Sequence, residues 1–296
     1  MKIKKAKSTV IFNVITYTLL TLGSIICVLP FLIILSGSFT DNYTILTKGY
    51  SLFPRDFTLD AYGVIFKAPK DIFQAYKITI YYTVVGTALG LLVVTLTAYV
   101  ISRKEFKYRN KVSLLIYFAS IFGGGMIPWY LMYANVLNLK GSTFAIWFPA
   151  LMSPFLVILM RTFITGAVPD AITESAKIDG AGHVTIFFKI VMPAIGPGLA
   201  TVGLFLALGY WNDWYRSSMF STSQETWELQ FYLYDLLNST VALKSMSQNT
   251  SIATADLPTQ AVKLAMAVVA TGPVLLLYPF VQRYFVSGIT VGAVKG

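Results

Sequence analysis

The sequence predicts an all-α integral membrane protein with six spanning helices and both termini on the cytoplasmic side. Composition is the first observation behind this. The chain is 56% hydrophobic and 12% charged, with a mean hydropathy of +0.67, whereas soluble domains are about 25% charged. The second is how the charges are spaced. Between them lie uncharged runs at Ser8–Thr40, Ile78–Ser102, Val112–Leu139, Gly141–Met160, Ile190–Asn212 and Leu264–Gln282, which are 33, 25, 28, 20, 23 and 19 residues long. About 20 apolar residues suffice to cross the hydrocarbon core as a helix. A soluble domain would have to bury six helices without a polar face. The third is the sign of the charge between the runs. With six spans and the termini inside, the inner segments 1–7, 103–111, 161–189 and 283–296 hold 14 Lys/Arg and 4 acids, and the outer segments hold 9 of each. The whole net charge of +10 therefore falls on one side, which is the positive-inside pattern. Retention beside anionic lipid accounts for that charge, and no nucleic-acid partner is needed.

The elements follow in order. Lys2, Lys4, Lys5 and Lys7 precede the first run and mimic a signal peptide. The run far exceeds the 7–15-residue core of such peptides, which predicts an uncleaved first span at about residues 9–38. Pro30 removes a hydrogen bond there and predicts a kink. Segment 41–77 carries turn residues, Pro54 and aromatics and predicts short outer helices. The third run contains Gly123-Gly124-Gly125 and Pro128. In lipid such backbone is tolerated only when buried by protein or lining a cavity. A helix break, tight packing against a neighbour and a gate are all open. Pro149 and Pro154 interrupt the fourth run. The fifth opens on Pro193-Ala194-Ile195-Gly196-Pro197-Gly198, and the sixth holds Gly272-Pro273 and Pro279. Segment 213–263 reads as a long outer loop, polar from Asn238 onward. The chain reads as a single membrane domain over 1–296, with a core at about 75–285 and a short cytoplasmic tail at 284–296.

Several chemistries lack their residues. Cys27 is the only cysteine and His183 the only histidine, so no intrachain disulfide and no Cys/His metal set can form. Gly-x-x-x-x-Gly-Lys-Ser/Thr is missing, and no Gly-Lys dipeptide occurs, so no phosphate-cradling loop is expected. No run has a charge at its middle, which disfavours a proton-coupled carrier.

The inner loop at 170–189 is the most informative stretch. Pro169-Asp170 starts a helix, with the acid at the positive end of the dipole. On a helical wheel Asp170, Thr173, Glu174 and Lys177 make one polar stripe, opposite Ala171, Ile172, Ser175, Ala176 and Ile178. Asp179-Gly180 and Gly182 signal turns. A second short segment, His183–Lys189, leads to Pro193. The sequence thus predicts a protruding knob whose small residues 175 and 176 admit a partner's surface. An amphipathic helix lying on lipid is the alternative, and Glu174 and Asp179 oppose it. At the outer end of the fifth span, Tyr210-Trp211-Asn212-Asp213-Trp214 can anchor the helix at the interface or contact a sugar by stacking and hydrogen bonds. Asp213 needs solvent or a partner, with Lys263 a candidate. The Ser/Asn/Thr-rich stretch 245–251 is either a solvated loop or a segment that reaches into another protein's cleft.

Glu174-Ser175-Ala176, then Asp179-Gly180-Ala181, with Pro193 nineteen residues after Glu174, resembles the "EAA" loop of bacterial ABC-importer permeases. The departure is Ser175, where the family usually has alanine. Phe122–Pro128, Ser153-Pro154-Phe155 with Met160-Arg161, the 210–214 aromatics and the ending from Tyr278 to Gly288 resemble its carbohydrate-uptake, maltose-type branch. The resemblance covers essentially the full length and is strongest from about residue 75. It implies the type I importer permease architecture in a bacterial cell membrane, with sugar, most of all oligosaccharide, as cargo. It implies ATPase coupling through Glu174, Ser175, Ala176, Asp179, Gly180, Ala181 and Pro193, and a tail contact with the ATPase through Gln282, Arg283 and Lys295. The implied partners are a second homologous permease, two ATP-binding subunits carrying ATP and Mg, and an extracellular or periplasmic sugar-binding protein. This chain itself would bind no cofactor and catalyse no reaction. Import of a non-sugar solute by the same architecture, or a stand-alone carrier, is the rival reading.

Overall fold

A computed structural model describes residues 7–250 and 259–293, with side chains over 8–242 and 259–276. Among the described residues the fold is helical. The only strand-like feature is an isolated antiparallel bridge between Thr40 and Phe57. The helices are α1 Lys7–Ser38, α2 Asn42–Lys48, α3 Asp60–Ile65, α4 Pro69–Ser102, α5 Arg109–Ile121, α6 Met126–Leu131, α7 Phe144–Trp147, α8 Pro154–Ala167, α9 Asp170–Ile178, α10 His183–Ile186, α11 Met192–Ala194, α12 Gly196–Trp211, α13 Tyr215–Phe220, α14 Leu229–Thr250 and α15 Thr259–Ala293. Short 3-10 or π segments continue several of them, at Met132–Val136, Phe148–Ala150, Phe187–Val191 and Gln224–Thr226.

Among the described residues three helices are long and apolar enough to cross a membrane: Ser8–Ser38, Pro69–Ser102 and Thr259–Leu276. Three more spans form if each bent pair counts as one. Arg109–Ile121 meets Met126–Val136 at 115°, Phe144–Ala150 meets Pro154–Ala167 at 41°, and His183–Ala194 meets Gly196–Trp211 at 84°. The bends fall where the sequence places its Gly and Pro. Gly125 takes φ +86° at the sharpest one, a conformation open to glycine without steric cost. Nothing lies within 4 Å of a Cβ built at Gly123 or Gly125. Among the described residues these glycines therefore serve the break and pack against no neighbouring helix of this chain.

The chain divides into two compact units, Met1–Pro69 with Asp235–Pro273, and Lys70–Tyr234 with Val274–Gly296. In the first, α1 exposes Val10, Ile11, Phe12, Ile15, Leu19 and Leu20, as a lipid-facing helix does. Its far end is buried at Ser36, Ser38 and Thr40. Asp41 Oδ2 accepts from Thr44 N at 3.0 Å and caps α2. Asn42 Oδ1 accepts from Gln260 N at 2.9 Å, which satisfies an orphan donor at the start of α15.

In the second unit, α4 is the axis. Small residues let neighbours approach it, as in tightly crossed membrane helices. Gly86 faces the ring of Tyr210, and Gly90 faces Leu206 and the Leu151 carbonyl. Val94, Ala98 and Ile101 of α4 join Val157, Met160 and Ile164 of α8 and Val202 and Leu206 of α12 in one core. A smaller cluster gathers Tyr82, Ala134, Ala145, Ile146 and Phe220.

Segment 213–263 is not the loop that its polar sequence suggests. Leu229–Thr250 is a helix of 22 residues. Leu229, Tyr232 and Leu233 are buried, at the spacing of one helical face, and this anchors a helix whose later turns are polar. The 245–251 stretch therefore has helical backbone as far as Thr250, and Ser251 lies outside the described residues.

Candidate coupling surface and substrate groove

The 170–193 segment folds as a helix, a tight turn and a second helix. The turn ends α9 with a Schellman arrangement. Gly180 sits in the left-handed region at φ +84°, Gly180 N donates to Lys177 O at 2.9 Å, and Ala181 N donates to Ala176 O at 2.9 Å. The two orphan carbonyls at the helix end are thereby satisfied. Ala176 and Ala181, the residues that normally touch in this motif, are half-buried against the main core. Their smallness thus serves the chain's own packing.

The polar stripe of α9 also has an internal use. Residues 103–105, at the end of α4, meet it position by position. Arg103 is buried. Its Nη1 donates to Thr173 Oγ1 at 3.2 Å, its Nε donates to Ser102 Oγ at 3.0 Å, and its guanidinium lies 5.2 Å from the Tyr99 ring centroid. Lys104 Nζ pairs with Asp170 Oδ2 at 2.6 Å, and Lys177 pairs with Glu105. The lysine bonded to each acid holds its carboxyl below its ordinary value. Tyr99 Oη and His183 Nδ1 stand 3.5 Å apart, which brings α10 to the same end of α4.

Asp170, Thr173 and Lys177 of the stripe are thus engaged, while its fourth residue, Glu174, is exposed on the outer surface of the knob with Ser175, Asp179 and Gly180. Beside them stand Ile178, 87% exposed, and Val184, 71% exposed. These two apolar side chains are presented to solvent by a loop read as aqueous. Sequence reasoning missed Val184 altogether and placed Ile178 without assigning it a role. The available signal was an apolar residue on either side of the Asp-Gly turn. Pro193 is exposed within α11, behind the knob.

The 210–214 segment separates into two parts. Tyr210 and Trp211 are buried. Tyr210 Oη donates to Trp147 O at 2.9 Å, and its ring packs on Gly86. Asn212 and Trp214 are exposed, and Trp214 stacks on Tyr234 with centroids 4.7 Å apart. The partner of Asp213 is Arg216, one turn further on, at 2.6 Å from Nε to Oδ2. It fills the place for which the sequence offered Lys263. A groove of about 370 Å³ runs beside this pair, lined by Met152, Phe155, Phe205, Leu206, Tyr210 and Arg216 among others.

Beneath the pair lies Glu228, 1% exposed. Ser217 Oγ donates to its Oε2 at 2.6 Å, while Oε1 has no donor among the described residues. Burial and then the neighbouring Asp213 push the Glu228 carboxyl up to about 8, so at neutral pH it holds a proton that it can share with Asp213. Gln282 and Arg283 fall on α15, where backbone alone is described, and Lys295 lies outside the described residues.

Comparison with known proteins agrees with this geometry. No family model matches the chain. It is 36% identical over 287 residues to the polygalacturonan/rhamnogalacturonan transport system permease protein YtcP of Bacillus subtilis, covering 97% of this chain and 99% of that one. It is 29% identical over 286 residues to the arabinooligosaccharides transport system permease protein AraQ of Halalkalibacterium halodurans, covering 94% and 96%. Among solved structures it matches a chain from the crystal structure of a bacterial ABC transporter involved in the import of the acidic polysaccharide alginate. The TM-score there is 0.77 at 28% identity, over 96% of this chain and 100% of that one. With a helical fold built around broken spans and a knob between α8 and α12, and with full-length relatives of this kind, the chain belongs to the permease subunits of sugar ABC transporters.

Proposed function

We propose that this chain is one of two homologous permeases in a binding-protein-dependent importer of oligosaccharides. It crosses a bacterial cytoplasmic membrane six times, with both termini inside. Two ATP-binding subunits, which carry ATP and Mg, drive alternating access, and an extracellular or periplasmic binding protein delivers the sugar. The chain has no catalytic role of its own.

The clamp of α9 onto residues 103–105 is the observation that carries this reading. The knob is tied to α4 by three side-chain contacts and is continuous with α8 and, through α10 and α11, with α12. Its far side presents Glu174, Ile178, Asp179 and Val184 to a partner. An ATPase that closes around that surface would draw on α4 directly and on the flanking spans through the chain. The tail residues Gln282, Arg283 and Lys295 are a second proposed contact with the ATPase.

Contacts at the two ends of α4 support the topology. One end meets the 170–183 loop, and both were read as inside. At the other end, Gln74 Nε2 donates to Glu225 O at 3.2 Å, which joins two segments read as outside, and Thr79 Oγ1, just within the second run, accepts from Leu229 N at 2.7 Å. The relative named for polygalacturonan and the solved structure named for alginate support acidic oligosaccharides as proposed substrates.

Affinity capture of the chain from its native membrane, followed by mass identification of its partners, tests the proposal. An ATPase with a phosphate-binding loop, a second permease and a sugar-binding protein are expected. Recovery of the chain alone or as a homodimer, without an ATPase, would sink it.

A further inference from the structure

We propose that the groove beside Asp213 and Arg216 receives the substrate and that Arg216 is its anion-recognising side chain, selecting oligosaccharides bearing a carboxylate. This deepens the importer reading and rests on it. The walls of the groove are apolar and aromatic, from Met152, Phe155, Phe205, Leu206 and Tyr210, and Arg216 is the one charged residue among them. Aromatic faces suit the apolar faces of sugar rings, and a single guanidinium adds the demand for an anion. Among the described residues only its Nε is bonded to an acceptor, Asp213 Oδ2. A guanidinium has five donors in a fixed planar fork, and its best-matched partner is a carboxylate or phosphate gripped by two parallel bonds.

The surroundings hold this guanidinium in place. It lies 5.5 Å from the Tyr210 ring centroid, and Tyr210 is itself fixed by its bond to Trp147 O. Arg216 N approaches Asp213 Oδ1 at 3.4 Å while Nε grips Oδ2, so one carboxylate orients both the backbone and the side chain of Arg216. Below Asp213, the buried Glu228 is bonded by Ser217. Burial and then Asp213 push the Glu228 carboxyl up, which lessens the negative charge set against Arg216 and against an incoming carboxylate. A positioned cation in a partly apolar groove loses less to water than one on an open surface.

The test uses the complete importer in proteoliposomes, with its ATPase, partner permease and binding protein. Uptake of trigalacturonate is compared with uptake of its fully methyl-esterified form, which keeps the sugar and removes the charge. In Arg216→Gln the ratio of acidic to esterified uptake is expected to fall about tenfold or more, the scale of losing a charged hydrogen bond. Arg216→Lys, which keeps the charge and loses the fork, is expected to fall between the two and serves as the readout where Arg216→Gln does not accumulate. Equal loss of both probes in these variants would mean that Arg216 only supports the fold, and would overturn the proposal. Wild-type uptake of neutral oligosaccharides alone would also overturn it and leave the importer reading intact. Failure of the assembled complex to carry any oligosaccharide would sink the importer reading itself.

Discussion

Arg103 and Thr173, seventy residues apart in the chain, are bonded side chain to side chain at 3.2 Å, and the arginine is buried. The bond joins the end of the longest spanning helix of the second unit to the middle of the loop proposed to meet the ATPase. A buried guanidinium that loses an acceptor keeps the cost of its desolvation. Thr173→Val is close in shape and removes that acceptor together with the bond that Thr173 Oγ1 donates to Asp170 O at 2.8 Å, so it is expected to destabilise the protein by about 1–3 kcal/mol. Thermal unfolding in detergent would check this. An unchanged transition temperature would mean that water replaces Thr173.

The flanking ion pairs predict a different behaviour. Lys104 and Glu105 are more than half exposed, and exposed pairs contribute about 0–1 kcal/mol each. Reversing Glu105→Lys should therefore leave stability nearly untouched. It sets two lysines face to face and should loosen α9 from α4. Uptake per ATP hydrolysed is expected to drop severalfold in Glu105→Lys and in Lys177→Glu, and to recover in the double reversal. Measuring both rates in the same proteoliposomes decides the matter. A double variant no better than either single one would sever the clamp from coupling.

At the turn, Gly180 has φ +84°. A residue with a Cβ in this region costs about 1–2 kcal/mol, and Gly180→Val also disturbs the bonds that end α9. The knob's outer face bears Glu174, whose side chain has no hydrogen bond or ion pair among the described residues. Both Gly180→Val and Glu174→Lys are expected to reach the membrane, with ATP hydrolysis no longer matched to uptake. Normal transport by these variants would remove the docking role from this surface.

Much of this was legible in the sequence, for identifiable reasons. Pro169-Asp170 and Asp179-Gly180 announce the start and stop of α9 because caps and turns are local chemistry. Gly123-Gly124-Gly125 and Pro193–Gly198 announce the bends for the same reason. A helical wheel identifies the stripe of Asp170, Thr173, Glu174 and Lys177 but not which of them are covered. That depends on residues 103–105, brought there by the length of α4. The same holds for Asp213. Its bond to Arg216 is local, whereas its neighbour Glu228 arrives only because α13 turns the chain back. Helix α14 was hidden by polar residues that a helix anchored at one end carries without penalty.

Close packing at α4 yields a further prediction. A Cβ at Gly86 would overlap the Tyr210 ring, and that ring is held by its bond to Trp147 O. It cannot swing aside without giving up this bond. Overpacking of this kind costs about 1–3 kcal/mol, so Gly86→Ala should lower thermal stability. Tyr210→Phe combined with Gly86→Ala should recover part of the loss by freeing the ring. Equal stability of Gly86→Ala and wild type would show that α4 and α12 shift to accept the methyl group.

Glu228 makes stability depend on pH. Its carboxyl is pushed up to about 8 from an ordinary 4.5, first by burial and then by Asp213. The folded state therefore holds this proton over a range in which the unfolded chain has released it. Protons bound in excess by the folded state make stability fall as pH rises. The contribution is complete below about 4.5 and is lost as pH climbs through about 8. The groups that face Glu228 are Asp213 and Arg216 from the α12–α13 corner, Ser217 of α13, Tyr82 of α4 and Tyr210 of α12. Among these Glu228 is the carboxyl raised into this range. Glu228→Gln keeps the shape and a donor toward Asp213 but cannot ionise. Its unfolding temperature should change less between pH 6 and pH 9 than that of the wild type. Parallel profiles for the two proteins would mean that Glu228 is already ionised at neutral pH, with Ser217 and Arg216 sufficient to hold two negative carboxylates side by side.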